Sequence, residues 1–198
     1  MHALSRPLVV DLDGTLIRTD LLVESASQFL VQNPFQFFKP LLWLMRGKAA
    51  LKSELAQRVQ LDASALPYNT DVLDWLRAEK LSGRRLVLAT ASHRRLAEQV
   101  AQHLHLFDDV LATEGDTNLK STAKAQALVD RFGEAGFDYV GNDWPDVQVW
   151  AKAHTAHGWM RRPRCSVARK RKATWDADAI AEFIARVDRS RISYMHVA

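Results

Sequence analysis

The chain has 198 residues, 47% hydrophobic and 25% charged, with a formal net charge of +4. That balance fits one compact domain with a sizeable core and excludes a fibrous or disordered chain. The lone cysteine, Cys165, excludes an intrachain disulfide and a cysteine-rich zinc site, which points to a reducing cytosol.

The first residues carry no long apolar run, so no secretory signal is expected. A strand is predicted over Leu8–Leu12, inside the string Val-Val-Asp-Leu-Asp-Gly-Thr-Leu-Ile at 9–17. Alternate residues of a strand share a face, so Asp11 and Asp13 start out on the same side as the strand gives way to a loop. Two carboxylates held that close need a cation between them or a retained proton. Gly14 supplies the permissive backbone for a sharp turn beside a ligand.

From Leu16 to about Asn69 the pattern is helical only, with helices predicted at Ser25–Val31, Phe35–Met45 and Lys48–Val59. Pro34 and Gly47 punctuate them. That is more than a crossover between parallel strands needs, so a helical cap over residues 19–69 is expected, inserted into a core of 1–18 and 70–198. The stretch Phe29–Met45 is rich in Phe and Leu, but Lys39, Pro34 and Pro40 interrupt it. It falls short of the roughly 20 apolar residues of a membrane span and leaves contact with a membrane surface open.

Beyond it, helices are predicted at Thr70–Leu81, Arg94–His105 and Ser121–Phe132, and strands at Arg85–Thr90, Asp109–Ala112, Asp138–Gly141 and Thr155–Trp159. Alternation of strand and helix predicts a mainly parallel sheet, with functional residues at the carboxyl ends of the strands. Thr90, followed by Ala91 and Ser92, ends one strand ahead of a helix, where a hydroxyl and backbone amides can meet an anion. Lys120 and Lys124 head the helix at Ser121–Phe132, and Lys124 better fits its apolar face. The strand ending at Gly141 runs into Asn142-Asp143-Trp144-Pro145-Asp146, a loop dense in oxygen donors. Each piece alone is an ordinary turn, cap or surface charge; their order along the chain carries the weight.

These pieces resemble the four motifs of the haloacid dehalogenase superfamily, most of whose members are phosphatases. The resemblance implies an HAD-like Rossmannoid three-layer sandwich with a small helical C1-type cap after the first strand. It also implies a Mg²⁺-dependent phosphomonoester hydrolase. Asp11 would be the nucleophile that becomes a phosphoaspartate, and Asp13 the acid and base. Thr90, Ala91 and Lys124, with Lys120 as runner-up, would hold the phosphate. Mg²⁺ would draw on Asp11, Asp13 through its backbone carbonyl, Asn142, Asp143 and Asp146. Asn142 stands where the fourth motif normally has Asp, which removes one negative charge from the metal site.

Gly47–Lys52, Leu66–Asn69, Leu86–Ser92 and Asp146–Trp150 further resemble the phosphatase-like domain fused to UbiA-type membrane prenyltransferases. That likeness implies a phosphate carried on a lipid or lipid-linked sugar. It also implies a cytoplasmic site, peripheral at the inner membrane face, or a membrane-enzyme partner. Phe35, Phe37, Phe38, Trp43 and Leu44 would then meet an apolar tail or bilayer; the competing reading is packing inside the cap. Arg161, Arg162, Arg164, Arg169, Lys170, Arg171 and Lys172 read as a solvated basic loop or, more sharply, as a contact for anionic lipid, and they suit lipid better than nucleic acid, for no nucleic-acid-binding module accompanies them. An amphipathic helix is predicted at Ala177–Val187. The sequence leaves oligomeric state open. The alternative functions are a non-catalytic or weakly active docking module for a membrane enzyme, which Asn142 keeps open, and carbon–halogen hydrolysis, which does not need the acid at Asp13.

Overall fold

The computed structural model describes residues 6–114, 119–142, 144–159 and 192–194. Asp143, the basic stretch at 161–172 and the helix predicted at Ala177–Val187 lie outside them.

Six parallel strands form one sheet in the order β3-β2-β1-β4-β5-β6. They are β1 (Leu8–Asp11), β2 (Leu86–His93), β3 (Asp109–Thr113), β4 (Asp138–Gly141), β5 (Ala156–Gly158) and β6 (Ile192–Tyr194). The helices are α1 (Leu21–Gln32), α2 (Lys39–Met45), α3 (Lys48–Arg58), α4 (Thr70–Leu81), α5 (Arg94–Leu104), α6 (Ser121–Phe132) and α7 (Val147–Trp150). Among the described residues the predicted strands are present, as are the predicted helices apart from the one expected at Phe35–Met45, several with shifted ends; α7 and β6 were not anticipated.

Strand alternation explains the layers. Leu8 and Val10 of β1, with Leu86 and Leu88 of β2, share one core with Val72 and Leu76 of α4 and Leu96 and Val100 of α5. Val9, Val87 and Ala89 face the other way, onto Ala125 and Leu128 of α6 and Val149 and Trp150 of α7. Both faces are therefore covered, which is why these strands read as unbroken apolar runs. No helix among the described residues is long and apolar enough to cross a membrane.

The segment between β1 and α4 holds α1, α2 and α3 around a small core of its own, Phe29, Trp43, Leu51, Leu55 and Val59. Helix α1 starts earlier than predicted because the Asp20 side chain accepts from the Leu22 amide and caps it. The single helix expected at Phe35–Met45 is broken into a short 3₁₀ turn at Pro34–Gln36 and α2. Pro40 falls in the first turn of α2, where its missing N–H costs nothing. Of the five apolar residues singled out in the sequence, only Trp43 packs inside; Phe35 is 91% and Phe37 71% exposed, and Phe38 and Leu44 also face solvent.

Candidate active site

The chain leaves β1 for β2 and β3 on one side and returns to β4 on the other. The crevice at such a switch point, beyond the carboxyl ends of the strands, is where an α/β sheet receives ligands. A cavity of about 460 Å³ lies there. Asp11, Asp13, Gly14, Lys124, Asn142 and Asp146 all line it.

Asp11 is two residues beyond Val9 and so turns to the α6 face of the sheet. There the Lys124 ammonium donates to its Oδ1 at 2.7 Å. The same ammonium donates to the Tyr139 hydroxyl at 3.0 Å, and that hydroxyl donates to Asp146 Oδ1 at 2.7 Å. Lys124 and Asp146 are 3.7 Å apart. Between the two lysines the sequence singled out, Lys124 is buried beside Asp11, whereas Lys120 is exposed at the cavity rim. Burial pushes the Asp11 carboxyl up to about 7 against the pull of Lys124, with Asp146 and Asp13 adding to the rise. Burial alone would lower Lys124, but Asp11 and Asp146 hold it above its ordinary value, so it stays an ammonium.

Asp13 has left the strand and is clamped. Its Oδ1 accepts the Leu21 amide at the start of α1, at 2.7 Å. Its Oδ2 accepts the Thr90 hydroxyl at 3.1 Å and the Ser92 hydroxyl at 2.9 Å. Burial nonetheless raises its pKa, the three donors opposing that rise. Thr90 is fully buried, takes the Ser92 amide on its oxygen and is spent on Asp13; Ser92 and Ala91 are the residues of β2 that line the cavity. A register shift between Thr90 and His93 against β3 accounts for this, because such an irregularity re-aims the residues inside it.

The Thr15 hydroxyl lies 3.2 Å from Asp11 Oδ2 and 3.1 Å from Asn142 Oδ1. Two hard oxygens, from the ends of β1 and β4, thus converge on one point. Asp146 holds the loop after β4 by accepting the Asn142 amide at 3.1 Å. Gly14, at φ +80°, packs so closely on Asn142 that a Cβ would overlap its side-chain amide. Among the described residues no three acidic, His or Cys side chains form a metal cluster. The oxygen donors gathered there are the side chains of Asp11, Asp146 and Asn142, two carboxylates and one neutral amide oxygen, a hard set of the kind Mg²⁺ takes.

Sequence reasoning missed Thr15, Ser92, Tyr139, Lys48 and Lys52. Tyr139 was findable, since alternation along β4 puts it on the Asp11 face two residues before Gly141. Lys48 and Lys52, on α3, reach the cavity only through the packing of α3 against the sheet, which no local pattern announces.

Residues 8–135 match the haloacid dehalogenase-like hydrolase family, and the chain belongs to that family. The uncharacterized protein y4nM of Sinorhizobium fredii (strain NBRC 101917 / NGR234) is 37% identical over 150 residues, which are 76% of this chain and 29% of that protein. The chain therefore spans less than a third of that curated relative. Among solved structures it is similar to the HAD family hydrolase t0658 of Salmonella enterica serovar Typhi, at TM-score 0.55 and 16% identity over 80% of this chain and 65% of the other. A phospho-aspartyl intermediate analogue of phosphoserine phosphatase superposes at TM-score 0.53 and 16% identity, over 77% of this chain and 85% of that one. A predicted phosphoglycolate phosphatase of Haemophilus somnus 129PT gives 0.52 and 17%, over 80% and 86%. At these identities the likeness is one of fold.

Proposed function

We propose that this hydrolase is a Mg²⁺-dependent phosphatase that cleaves phosphomonoesters through a phosphoaspartate on Asp11. The observation that carries it is the meeting, in one cavity, of an Asp11 paired to Lys124 and an Asp13 clamped on both oxygens. The segment 19–69 serves as the cap of this site, delivering the Leu21 amide to Asp13.

In the first step an Asp11 oxygen attacks phosphorus while the bond to the leaving oxygen breaks. Asp13, whose carboxyl burial pushes above its ordinary pKa, gives that oxygen its proton. In the second, Asp13 takes a proton from water as the water oxygen attacks phosphorus, and the bond to Asp11 breaks to release phosphate. Thr90 orients Asp13 through its hydroxyl, while Lys124, Ser92 and the backbone at Ala91 receive phosphoryl oxygens. Lys120 stands by at the rim. Asp11, Asn142, Asp146 and the Asp13 backbone carbonyl, with Asp143 next in sequence to Asn142, would hold Mg²⁺, which would supply charge neutralisation for the phosphoryl group. Phosphoryl transfer asks a protein chiefly for such positioning and charge balance.

Release of inorganic phosphate from p-nitrophenyl phosphate, measured with Mg²⁺ and with EDTA, tests the reading. Turnover that EDTA abolishes supports it; a pure, folded protein that releases no phosphate with Mg²⁺ present removes it and favours the docking-module alternative. Asp13 speaks against carbon–halogen hydrolysis, which needs no proton donor there.

A membrane-facing role has its own support. Phe35, Phe37, Phe38, Leu41, Leu42, Leu44 and Met45 form a run of exposed apolar side chains, and no acidic residue occurs between Glu24 and Glu54, where Lys39, Arg46, Lys48 and Lys52 lie. Apolar surface rimmed by cations suits an anionic bilayer or a membrane enzyme beside it, and a substrate phosphate borne on a lipid or lipid-linked sugar. Co-sedimentation with anionic but not zwitterionic vesicles is expected; equal recovery in the supernatant with both would refute it.

A further inference from the structure

The catalytic groups account for only part of the cavity. Lys48 and Lys52 of α3 and Lys120 at the start of α6 line the same space. The Lys52 ammonium donates to the Ala91 carbonyl at 2.8 Å, which lays it across the mouth from the cap to the end of β2. That bond uses one of its three donors. Lys48 and Lys120 sit close enough to repel it, and with burial they lower its pKa, while Asp13 and Asp20 partly offset them.

The carboxylates of the cavity are committed elsewhere. Asp11 pairs with Lys124, Asp13 takes three donors, Asp20 caps α1, and Asp146 accepts from Tyr139 and Asn142. Among the described residues no ion pair reaches Lys48, Lys52 or Lys120. Thr19, whose hydroxyl is buried without a hydrogen-bond partner, lines the same space. Like charges gathered at the wall of a partly desolvated cavity, beside an unmet donor, call for an anion.

We infer that Lys48, Lys52 and Lys120 form a second anion subsite, so that the preferred substrate is a phosphomonoester whose leaving group carries another anionic group, a carboxylate or a second phosphate. This rests on the phosphatase reading and narrows it. Lys124 and the β2 end hold the phosphoryl group that is cleaved; the three lysines hold the part that leaves. An uncharged leaving group would gain nothing from them.

Matched pairs test it. With Mg²⁺ present, kcat/KM is measured for 3-phosphoglycerate against glycerol 3-phosphate, and for propane-1,3-diol bisphosphate against its monophosphate. The anionic member of at least one pair is expected to be favoured tenfold or more, mainly through KM, and the pair that shows it tells carboxylate from phosphate. In a Lys48→Ala/Lys52→Ala variant the ratio falls toward one, while Lys48→Arg/Lys52→Arg keeps it; a ratio cancels any loss of folded enzyme. Rising ionic strength shrinks the preference in the parent protein. Ratios near one in the parent, or ratios unchanged in the alanine variant, overturn the subsite even where p-nitrophenyl phosphate is turned over. No turnover of any substrate, p-nitrophenyl phosphate included, overturns the phosphatase reading and this inference with it.

Discussion

The Lys124 ammonium lies 2.7 Å from Asp11 and 3.0 Å from the Tyr139 hydroxyl, which passes the contact on to Asp146. One buried cation thereby balances two buried carboxylates at the ends of two different strands. Lys124→Met leaves both carboxylates without it, and removing one partner of a buried pair costs roughly 3–5 kcal/mol. Phosphate release should fall at least ~10²-fold, as on loss of a preorganised donor. Urea unfolding and steady-state kinetics read the two effects. A Lys124→Met protein of unchanged activity would mean that the pair is structural.

Asp11 and Asp13 should fail differently. Asp11→Asn removes the proposed nucleophile, so turnover should disappear while the fold persists, the amide replacing a carboxylate that burial already disfavours. Asp13→Asn keeps phosphate binding but withholds the proton from the leaving oxygen. Its deficit should be largest for poor leaving groups such as alkyl phosphates and smaller for p-nitrophenyl phosphate. Equal deficits on both substrate types would take the acid role away from Asp13.

The elevated Asp11 carboxyl makes both metal binding and stability depend on pH. Mg²⁺ competes with the proton for this group. Below about 7, where Asp11 is protonated, Mg²⁺ affinity should weaken about tenfold per pH unit if this is the dominant group. Because the folded value exceeds the unfolded one, the group's contribution to stability is fully present below 3.8 and is lost as pH rises through about 7. The Mg²⁺-free protein should therefore lose stability from this group between pH 4 and 7, and Mg²⁺ should raise the melting temperature more at pH 8 than at pH 5.5. Calorimetric titration and thermal melts check both. A Mg²⁺ affinity flat across that window would exclude Asp11 as a ligand.

Gly14 is required twice over. Its φ of +80° strains any other residue, and a Cβ would overlap the Asn142 side chain. Gly14→Ala should cost roughly 1–3 kcal/mol. It should also weaken Mg²⁺ binding by displacing Asn142, which a change remote from the site would not do. Loss of stability with unaltered Mg²⁺ affinity would remove Asn142 from the metal site.

Most of the core was legible in the sequence because it obeys local rules. Val9 and Val10 read as a doubly buried strand, and Gly133 stops α6 where a glycine at φ +83° is needed. The residues that do the proposed chemistry at strand ends were legible for the same reason, since a parallel sheet gathers those ends in one place. What stayed hidden depends on packing between distant segments. Thr90 looked like an anion-binding hydroxyl, but it is turned onto Asp13 by a register shift that only the pairing with β3 reveals. Lys52 is an unremarkable helical lysine until α3 lies over β2 and puts its ammonium on the Ala91 carbonyl. The apolar stripe at Phe35–Met45 left packing and exposure undecided, because helical apolar spacing reports a face and not what covers it.

Asn142 offers the sharpest test of the metal site, because it is the one position that departs from the motif it otherwise fits. The Thr15 hydroxyl donates toward its oxygen, and Asp146 accepts its backbone amide, so neither contact needs the side-chain nitrogen. Asn142→Asp therefore preserves both while adding a negative charge beside Asp11 and Asp146. Without metal that charge is repelled by its neighbours, so the melting temperature should drop. With Mg²⁺ it becomes a stronger ligand, and the affinity should rise about tenfold, equivalent to about 1.4 kcal/mol. The Mg²⁺-induced rise in melting temperature should then exceed that of the parent protein. A residue merely near the site would give the first effect without the second. An Asn142→Asp protein that melts lower and binds Mg²⁺ no better would show that the loop after β4 positions Lys124 and Tyr139 and leaves the metal to Asp11.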